Sequence, residues 1–386
     1  MKFPLYFDHN ATTPCEPDVV EAMLPWFTER FGNASSVHYP LGWLAEEAVE
    51  TAREQLAVLI GASPKEIIFT SGATEAINLA IRGVLEALET RGGHIVTLAT
   101  EHKAVLDTCK ALERRGISTT YLPVGKDGLV DLGALENAIR ETTALIAVML
   151  ANNETGVLQP VDEIAQIAQQ RGIIMLSDAV QAVGKMPLSV QKLGIDLMPL
   201  SAHKMYGPKG VGALYISSRL SKSKLVTQVT GGGHEKALRS GTLNVPGIVG
   251  FGKAAEIALD RMSDEGHRLA ALRDALEDGI LSLGGAQLNG NKERRLPHVS
   301  NISFEGVEGK AFLIAINKEL AISSGSACSS ITTRPSHVLT AMGLESELAR
   351  STLRFGLGRS NTAAQVDFAI QYVKDTVEKL RKKRLG

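Results

Sequence analysis

The chain has 386 residues, of which 44% are hydrophobic and 22% charged, and its formal net charge at pH 7 is −1. This balance gives no electrostatic basis for binding nucleic acid or an anionic membrane surface. The longest uncharged apolar stretch, residues 142–153, is far shorter than the roughly 20 residues that span a bilayer, so we expect a globular protein that does not cross a membrane.

The three cysteines, Cys15, Cys109 and Cys328, are widely spaced along the chain. Their spacing predicts neither a CxxC-type metal site nor a disulfide framework, and it favours a reducing compartment. The N-terminal residues MKFPLYFDHNATTP contain no apolar run that ends in a small-residue cleavage site, so we expect a cytoplasmic protein. The basic residues 379–384 are typical of the end of a helix, where the helix dipole favours cations.

Taken in chain order, the first long element is EEAVETAREQLAVLIG, a predicted helix that ends at Gly61. From residue 66 to residue 216, short β-branched runs such as EIIFT and HIVTLA alternate with helical segments such as VDEIAQIAQQRG. Strands that alternate with helices predict an α/β fold, in which a mostly parallel sheet is flanked by helices.

A second region begins near Gly250 and leads to a final helix, whose apolar stripe contains Val366, Ile370, Val373, Val377 and Leu380. Asn361 or Thr362 can cap this helix. We expect a large domain over residues 15–255 and a smaller α+β domain formed by residues 1–14 and 256–386. No G-x-G-x-x-G or G-x-x-x-x-G-K-[ST] motif is present, which argues against dinucleotide or nucleoside-triphosphate binding.

Three predicted strand ends have side chains suited to chemistry, and ligands of open parallel sheets bind at such ends. In SGATEA a helix begins at Ala73 and Thr74, where free N–H groups form an anion site. Asp178 ends a strand in IIMLSDAVQ, and Lys204 follows a strand in SAHKMYGPKG. A phosphate site, an acid and a lysine are what pyridoxal phosphate requires.

Each of these residues also has an ordinary structural interpretation. Thr74 can be a simple N-cap, Asp178 a turn residue, and Lys204 a solvated surface charge. Taken singly, the three positions favour these interpretations, whereas together they favour a cofactor site.

Several motifs together resemble one enzyme family: SGATEA, EHKAVLDTC, NNETGV, DAVQAVGK, SAHKMYGPKG, GGGHEKALRSGT, SSGSACSS and STLRFGLGR. They are similar to those of the class V, fold-type I pyridoxal-phosphate enzymes, and within that class to the cysteine desulfurases of the NifS/IscS type. The resemblance runs in order from about Tyr6 to the final helix. It implies an enzyme that uses pyridoxal 5′-phosphate to convert L-cysteine to L-alanine.

The resemblance also implies a role for each matching residue. Lys204 would form the Schiff base with the cofactor and move protons, Asp178 would pair with the pyridinium nitrogen, and Gln181 would bind the phenolic oxygen, with Asn153 nearby. His102 would stack on the cofactor ring. The implied phosphate ligands are Ala73, Thr74, Ser201, His203 and, from the neighbouring subunit of a homodimer, Thr242. Arg354, with Asn153, would bind the substrate carboxylate, although it could instead be a surface arginine at a strand edge.

Cys328 lies in AISSGSACSSITTRP, whose small and polar residues provide no apolar wall for a buried thiol. A loop of this composition suits a nucleophile that takes sulfur from the substrate as a persulfide and carries it outward. For Cys15 and Cys109 we expect inert, buried side chains. The resemblance further implies a sulfur-acceptor partner such as an iron–sulfur scaffold, with which Cys328 could transiently ligate a cluster, and it predicts no resident metal.

The sequence leaves alternatives open. Within the same fold, the chain could be a selenocysteine lyase or a small aminotransferase. It could also be a sulfur-relay or scaffold protein without the cofactor, which the presence of both Lys204 and Asp178 disfavours. The sulfur could serve housekeeping iron–sulfur assembly, nitrogenase or tRNA thiolation.

Overall fold

The computed structural model describes residues 4–88, 92–220, 224–324 and 335–385. The helices within this part of the chain are α1 Pro17–Met23, α2 Pro25–Thr28, α3 Pro40–Ile60, α4 Ala73–Glu86, α5 Lys103–Glu113, α6 Leu132–Ala138, α7 Val161–Gln170, α8 Val190–Leu193, α9 Val245–Leu281, α10 Gly309–Ile316, α11 His337–Ala341, α12 Ser346–Arg350 and α13 Ala363–Leu385. The strands are β1 Leu5–Tyr6, β2 Ile67–Thr70, β3 His94–Leu98, β4 Ser118–Leu122, β5 Thr143–Ala147, β6 Ile174–Leu176, β7 Leu197–Ser201, β8 Gly212–Ile216, β9 Ala286–Leu288, β10 Val299–Phe304, β11 Leu320–Ala321 and β12 Thr352–Gly356.

The described residues form a seven-stranded main sheet in the order β2-β8-β7-β6-β5-β3-β4. Strand β8 is antiparallel to both of its neighbours, and the other pairings are parallel. Every residue of β2, β3, β6 and β7 is buried, as expected for a sheet covered by helices on both faces. The prediction of an α/β fold with a mostly parallel sheet is confirmed.

The C-terminal part has its own small sheet, β12-β10-β9, which is antiparallel. The stripe of α13 packs into the core above this sheet, where Val366, Val373 and Val377 are buried beside Phe304 and Phe355. Short β1 pairs with β11, so the N-terminus joins this C-terminal region. The predicted domain boundary at residue 255 falls within the continuous helix α9, and the two-domain division stays a prediction.

Local signals in the sequence explain several element ends. Gly61 ends α3 in the left-handed conformation with φ of 67°, which glycine adopts without strain. Thr362 accepts a hydrogen bond from the Gln365 amide, and the Gln365 side chain accepts one from the Thr362 amide, so Thr362 caps α13 as predicted. Among the described residues, no helix combines the length and apolar character needed to span a bilayer.

Candidate active site

A cavity of about 1150 Å³ opens where the parallel strands of the main sheet end. The side chains or backbone of ten predicted site residues line it: Ala73, Thr74, His102, Asn153, Asp178, Gln181, Ser201, His203, Lys204 and Arg354. Thr242 is exposed and is not part of the cavity lining. Cys328 lies outside the described residues.

The N-terminus of α4 forms one wall of the cavity. Gly72 precedes the helix with φ of 154° and gives it no side-chain cap, so Thr74 is not the N-cap that the ordinary interpretation supposed. A Cβ added to Gly212 would lie 2.6 Å from the Cα of Gly72, which shows how closely β8 approaches this turn. The uncapped N–H groups of a 14-residue helix, with Ser201 and His203 nearby, suit an anionic group such as phosphate.

Asp178 and His102 both line the cavity, and they are close enough for their charges to interact. Asp178 accepts the Val180 amide at 3.0 Å through one carboxylate oxygen, so it does make the local turn contact expected of a turn residue. Burial raises the pKa of its carboxyl, and the charge of His102 opposes that rise. A bound cation such as a pyridinium ion would favour the ionised carboxylate.

His102 is the N-cap of α5, and its Nδ1 accepts the Ala104 amide at 3.1 Å. Because Nδ1 is the acceptor, the neutral ring carries its proton on Nε2. Burial lowers the pKa of His102, the carboxylate of Asp178 opposes that effect, and the nearby Lys204 and His337 strengthen it. These influences favour a neutral imidazole.

The amine of Lys204 is inside the site and not solvated at the surface. Its Nζ donates to the backbone carbonyls of Asn10 and Ala11 at 2.6 and 2.8 Å. The Gln181 side chain donates to the same Asn10 carbonyl at 3.0 Å. The N-terminal segment therefore anchors two of the predicted cofactor ligands.

Arg354 lies on β12 and is 1% exposed, so the alternative of a surface arginine is wrong. Its guanidinium donates to Asp8 at 2.6 Å and to the Asn153 carbonyl at 2.9 Å. A guanidinium fixed in this way at a cavity wall has the geometry to bind a carboxylate.

These groups fit pyridoxal 5′-phosphate. The helix N-terminus offers N–H donors for a phosphate, Asp178 offers a buried carboxylate for a pyridinium nitrogen, and Lys204 offers an amine within the same cavity. No cluster of three or more His, Cys, Asp or Glu side chains within the described ranges could hold a metal ion.

Sequence reasoning missed four residues of the site: Asp8, Asn10, Glu154 and His337. Asn10, Glu154 and His337 line the cavity, and Asp8 binds Arg354. Burial raises the pKa of the Glu154 carboxyl, against the hydrogen bond from Ser336 and the positive charges of nearby groups. The available signals were the polar run DHN near the N-terminus and the glutamate that follows Asn153 in NNETGV.

Described residues on either side of the segment that contains Cys328 lie at or next to the cavity lining. Before it, the carbonyl of Ser323 accepts the Arg354 amide at 2.8 Å, and after it Pro335 lines the cavity. Cys109, by contrast, is fully buried as expected, and burial raises its thiol pKa to about 12. Cys15 is only half-buried, so the expectation of a buried side chain is wrong at this position, and burial raises the pKa of its thiol as well.

Comparison with known proteins identifies one family and several relatives of this chain. Residues 5–368 match the family described as Aminotransferase class-V. The chain is 53% identical over 382 residues to "Cysteine desulfurase IscS" of Anaeromyxobacter sp. (strain Fw109-5). This alignment covers 99% of this chain and 94% of the relative. Among solved structures, a NifS-like protein superposes with a TM-score of 0.91 at 38% identity, covering 98% of this chain and 100% of that one. The structure described as "SspA in complex with cysteine" gives a TM-score of 0.81 at 38% identity and covers 92% and 98% of the two chains.

Proposed function

Because the chain belongs to the aminotransferase class-V family, we propose that it is a pyridoxal 5′-phosphate-dependent cysteine desulfurase. It converts L-cysteine to L-alanine and retains the sulfur as a persulfide on Cys328. The observation that carries the proposal is that an amine, a buried carboxylate and a helix N-terminus line the same cavity. Relatives that are named after this activity align with nearly the whole chain, which supports the assignment.

Each cofactor ligand contributes one kind of contact. Ala73, Thr74, Ser201 and His203 bind the phosphate, and Asp178 keeps the pyridinium nitrogen protonated. Gln181 has a second amide N–H for the phenolic oxygen, since one already binds Asn10. When bound, pyridoxal phosphate is an electron sink that acidifies the Cα–H of an attached amino acid.

The remaining residues act on the substrate. Arg354 binds the substrate carboxylate, and the Asn153 backbone and Asp8 keep the guanidinium oriented. The Lys204 amine carries protons to and from the substrate Cα. His102 would stack its neutral ring against the bound cofactor, a role supported by its charge interaction with Asp178.

Cys328 is the nucleophile. Its thiolate attacks the substrate sulfur, the carbon–sulfur bond breaks, and the carbon skeleton is protonated to alanine. The sulfur stays on the enzyme as a persulfide. Before its segment the Ser323 carbonyl accepts the amide of the cavity residue Arg354, and after it Pro335 lines the cavity, which supports access of this thiol to the site.

The active enzyme is a homodimer in which Thr242 of one subunit completes the phosphate site of the other. Residues 20–44 expose many large apolar side chains, a pattern typical of protein interfaces: Val20, Leu24, Phe27, Phe31, Val37, Tyr39, Trp43 and Leu44. Thr242 is exposed, as a residue that serves a neighbouring subunit requires. Mixing Lys204→Ala and Thr242→Ala subunits tests this, because shared sites give cofactor retention that differs from the average of the two parents.

The persulfide passes to a sulfur-acceptor protein, for which an iron–sulfur scaffold in the cytoplasm is our proposal. The relatives named IscS support a role in iron–sulfur cluster assembly.

The experiment that tests the activity compares Cys328→Ala with Cys15→Ala. We expect Cys328→Ala to abolish alanine and sulfide production from cysteine while the cofactor absorbance stays, and Cys15→Ala to remain active. Full activity in Cys328→Ala would reject the persulfide mechanism.

A further inference from the structure

Glu75 places a carboxylate at the anion site of the cavity. It belongs to the first turn of α4 and lines the cavity together with Ala73 and Thr74. A carboxylate in the first turn stabilises a helix, because it interacts favourably with the positive end of the helix dipole. A phosphate bound at the same helix end would, however, be repelled by this negative charge. A phosphate site that includes Glu75 therefore requires a positive charge that offsets it.

The carboxylate of Glu75 has a structural task of its own in the turn before α4. Its Oε2 atom accepts the Ser71 amide at 2.8 Å. Burial acts to raise the pKa of this carboxyl, but the hydrogen bonds from Arg239 and Ser71 outweigh burial and lower the pKa below its usual value. Glu75 is therefore ionised at neutral pH. The Ser71 amide is used within the turn, whereas α4 has no side-chain cap for its first amides, which leaves those of Ala73 and Thr74 for a ligand.

The guanidinium of Arg239 provides the offsetting charge. Its Nε donates to Oε1 of Glu75 at 2.7 Å, and its Nη2 donates to Oε2 at 3.3 Å. The two side chains are 21% and 20% exposed, so water screens this pair only in part. Arg239 is not part of the cavity lining, and any effect it has on a bound phosphate is therefore exerted through Glu75.

The loop that contains Arg239 is anchored on the opposite side. The buried carboxylate of Glu235 accepts two N–H groups of Arg53 at 2.9 and 2.8 Å and the Phe69 amide at 2.7 Å. Residues 235–237 have φ values of 47°, 59° and 63°, which residues other than glycine rarely adopt. Such a backbone persists only where its surroundings hold it in place. The loop is thus fixed to α3 and β2, and from there it presents its guanidinium to α4.

We propose that Arg239 is a positioning residue for the cofactor phosphate, because it neutralises Glu75 and so allows the N-terminus of α4 to accept a dianion. The inference rests on the phosphate site of the proposed function. Glu75 orders the turn through Ser71, and Arg239 removes the electrostatic penalty that this carboxylate would otherwise impose on the ligand. An ion pair with a purely structural task would instead weaken the site equally when either partner is removed.

The binding of pyridoxal 5′-phosphate and of pyridoxal to the full chain, freed of cofactor, separates charge from structure. Both compounds have the ring and the aldehyde that Lys204 requires, but only the first has a phosphate. The absorbance of the bound compound gives each dissociation constant. The variants are Arg239→Gln, Glu75→Gln and the double variant. A glutamine at position 75 loses the charge, while its amide oxygen can still accept the Ser71 amide.

Arg115→Gln is the matched control. Arg115 forms an ion pair with Glu86 at the other end of α4, outside the cavity lining. Its loss removes a guanidinium from the same helix without changing the charge at the anion site, so both dissociation constants should equal those of the wild type.

We expect Arg239→Gln to raise the dissociation constant for pyridoxal 5′-phosphate by about tenfold and that for pyridoxal by less than about twofold, because only the phosphate meets the uncompensated charge. Glu75→Gln should bind pyridoxal 5′-phosphate at least as tightly as the wild type, since it leaves the guanidinium without its carboxylate. The double variant should return to within about threefold of the wild type, since it removes both charges.

Equal losses of pyridoxal 5′-phosphate affinity in Arg239→Gln and Glu75→Gln would overturn the inference, since they would show a structural ion pair. A double variant as weak as Arg239→Gln would also overturn it, because the arginine would then act through its loop and the nearby Thr242. If Arg239→Gln also lowers the free energy of unfolding, the ratio of the two dissociation constants decides, because a general loss of stability weakens both compounds alike.

The same titrations distinguish this inference from the proposed function. A wild type that binds pyridoxal as tightly as pyridoxal 5′-phosphate would have no phosphate site, and the proposed function would fail with it. If the wild type prefers pyridoxal 5′-phosphate and only the variants depart from expectation, the proposed function survives and the role of Arg239 is rejected.

Discussion

The guanidinium of Arg354 is buried, yet Asp8 and a backbone carbonyl compensate for its burial. A planar guanidinium holds its N–H donors in a rigid fork whose geometry matches that of a carboxylate. Lysine keeps the charge but loses this fork, because its ammonium group is a single point of contact.

We expect Arg354→Lys to raise the KM for cysteine by about tenfold or more, since bidentate contacts to a carboxylate are lost. The cofactor absorbance should be retained because Arg354 is not among the proposed cofactor ligands. Steady-state kinetics test this, with Arg384→Lys as a control, because Arg384 forms an exposed ion pair with Glu347. An unchanged KM would show that another group binds the substrate carboxylate.

At the scale of single residues, the sequence predicted which residues lie at the site better than it predicted which residues they contact. Motifs at strand ends predicted Ala73, Thr74, Asp178 and Lys204, and the family resemblance implied the other six of the ten predicted residues that line one cavity. Asp8 and Asn10 were missed because their partners, Arg354 and Lys204, are far away in sequence, and no local periodicity encodes such contacts. His337 was missed because a single histidine at the start of a short helix has no distinctive pattern.

At the scale of elements, the N-terminal segment depends on its contact with β12. The amide of Gly356 donates to the Phe7 carbonyl, and its carbonyl accepts the His9 amide. A Cβ at position 356 would meet the side-chain oxygen and the amide nitrogen of Asn10. The absence of a side chain therefore allows the segment that binds Lys204 to pack against the strand that contains Arg354.

We expect Gly356→Ala to lower the free energy of unfolding by about 2 kcal/mol through overpacking. It should also weaken cofactor retention, because the Asn10 carbonyl that binds Lys204 is displaced. Gly284→Ala is the control, since its Cβ would meet nothing within 4 Å. Denaturant unfolding and cofactor titration are the measurements, and equal behaviour of the two variants would contradict this packing argument.

The alternation of strands and helices was readable from sequence because the main-sheet strands are buried on both faces and have continuous apolar runs. Strand β1 could not be predicted from the sequence, because its two residues, Leu5 and Tyr6, are too few for any pattern to indicate a strand. The antiparallel placement of β8 between β2 and β7 depends on tertiary contacts, which the local sequence does not encode.

At the scale of the whole molecule, buried Lys185 links stability to pH. It is 8% exposed, and its Nζ lies 4.2 Å from the ring centre of Tyr206. Burial lowers its pKa to about 7, with Glu265 opposing and Arg359 adding to that effect. An unfolded lysine has a pKa of about 10.4, so between these values the unfolded chain binds more protons than the folded one, and stability rises with pH.

We therefore expect the wild type to gain stability relative to Lys185→Met between pH 7 and pH 9, by at most about 1.4 kcal/mol per pH unit. The exposed Lys192→Met should show no such trend relative to the wild type. Denaturant unfolding at the two pH values is the measurement. A constant difference between wild type and Lys185→Met across this range would contradict the assignment of a neutral lysine.

The central claim is that a thiol at position 328 removes sulfur from cysteine in the cavity that contains Lys204. Mass spectrometry of the holoenzyme after brief exposure to cysteine tests it most directly. The account predicts one added sulfur atom on the peptide that contains Cys328, and none on those that contain Cys15 or Cys109. Alanine formation without added sulfur at position 328 would contradict it.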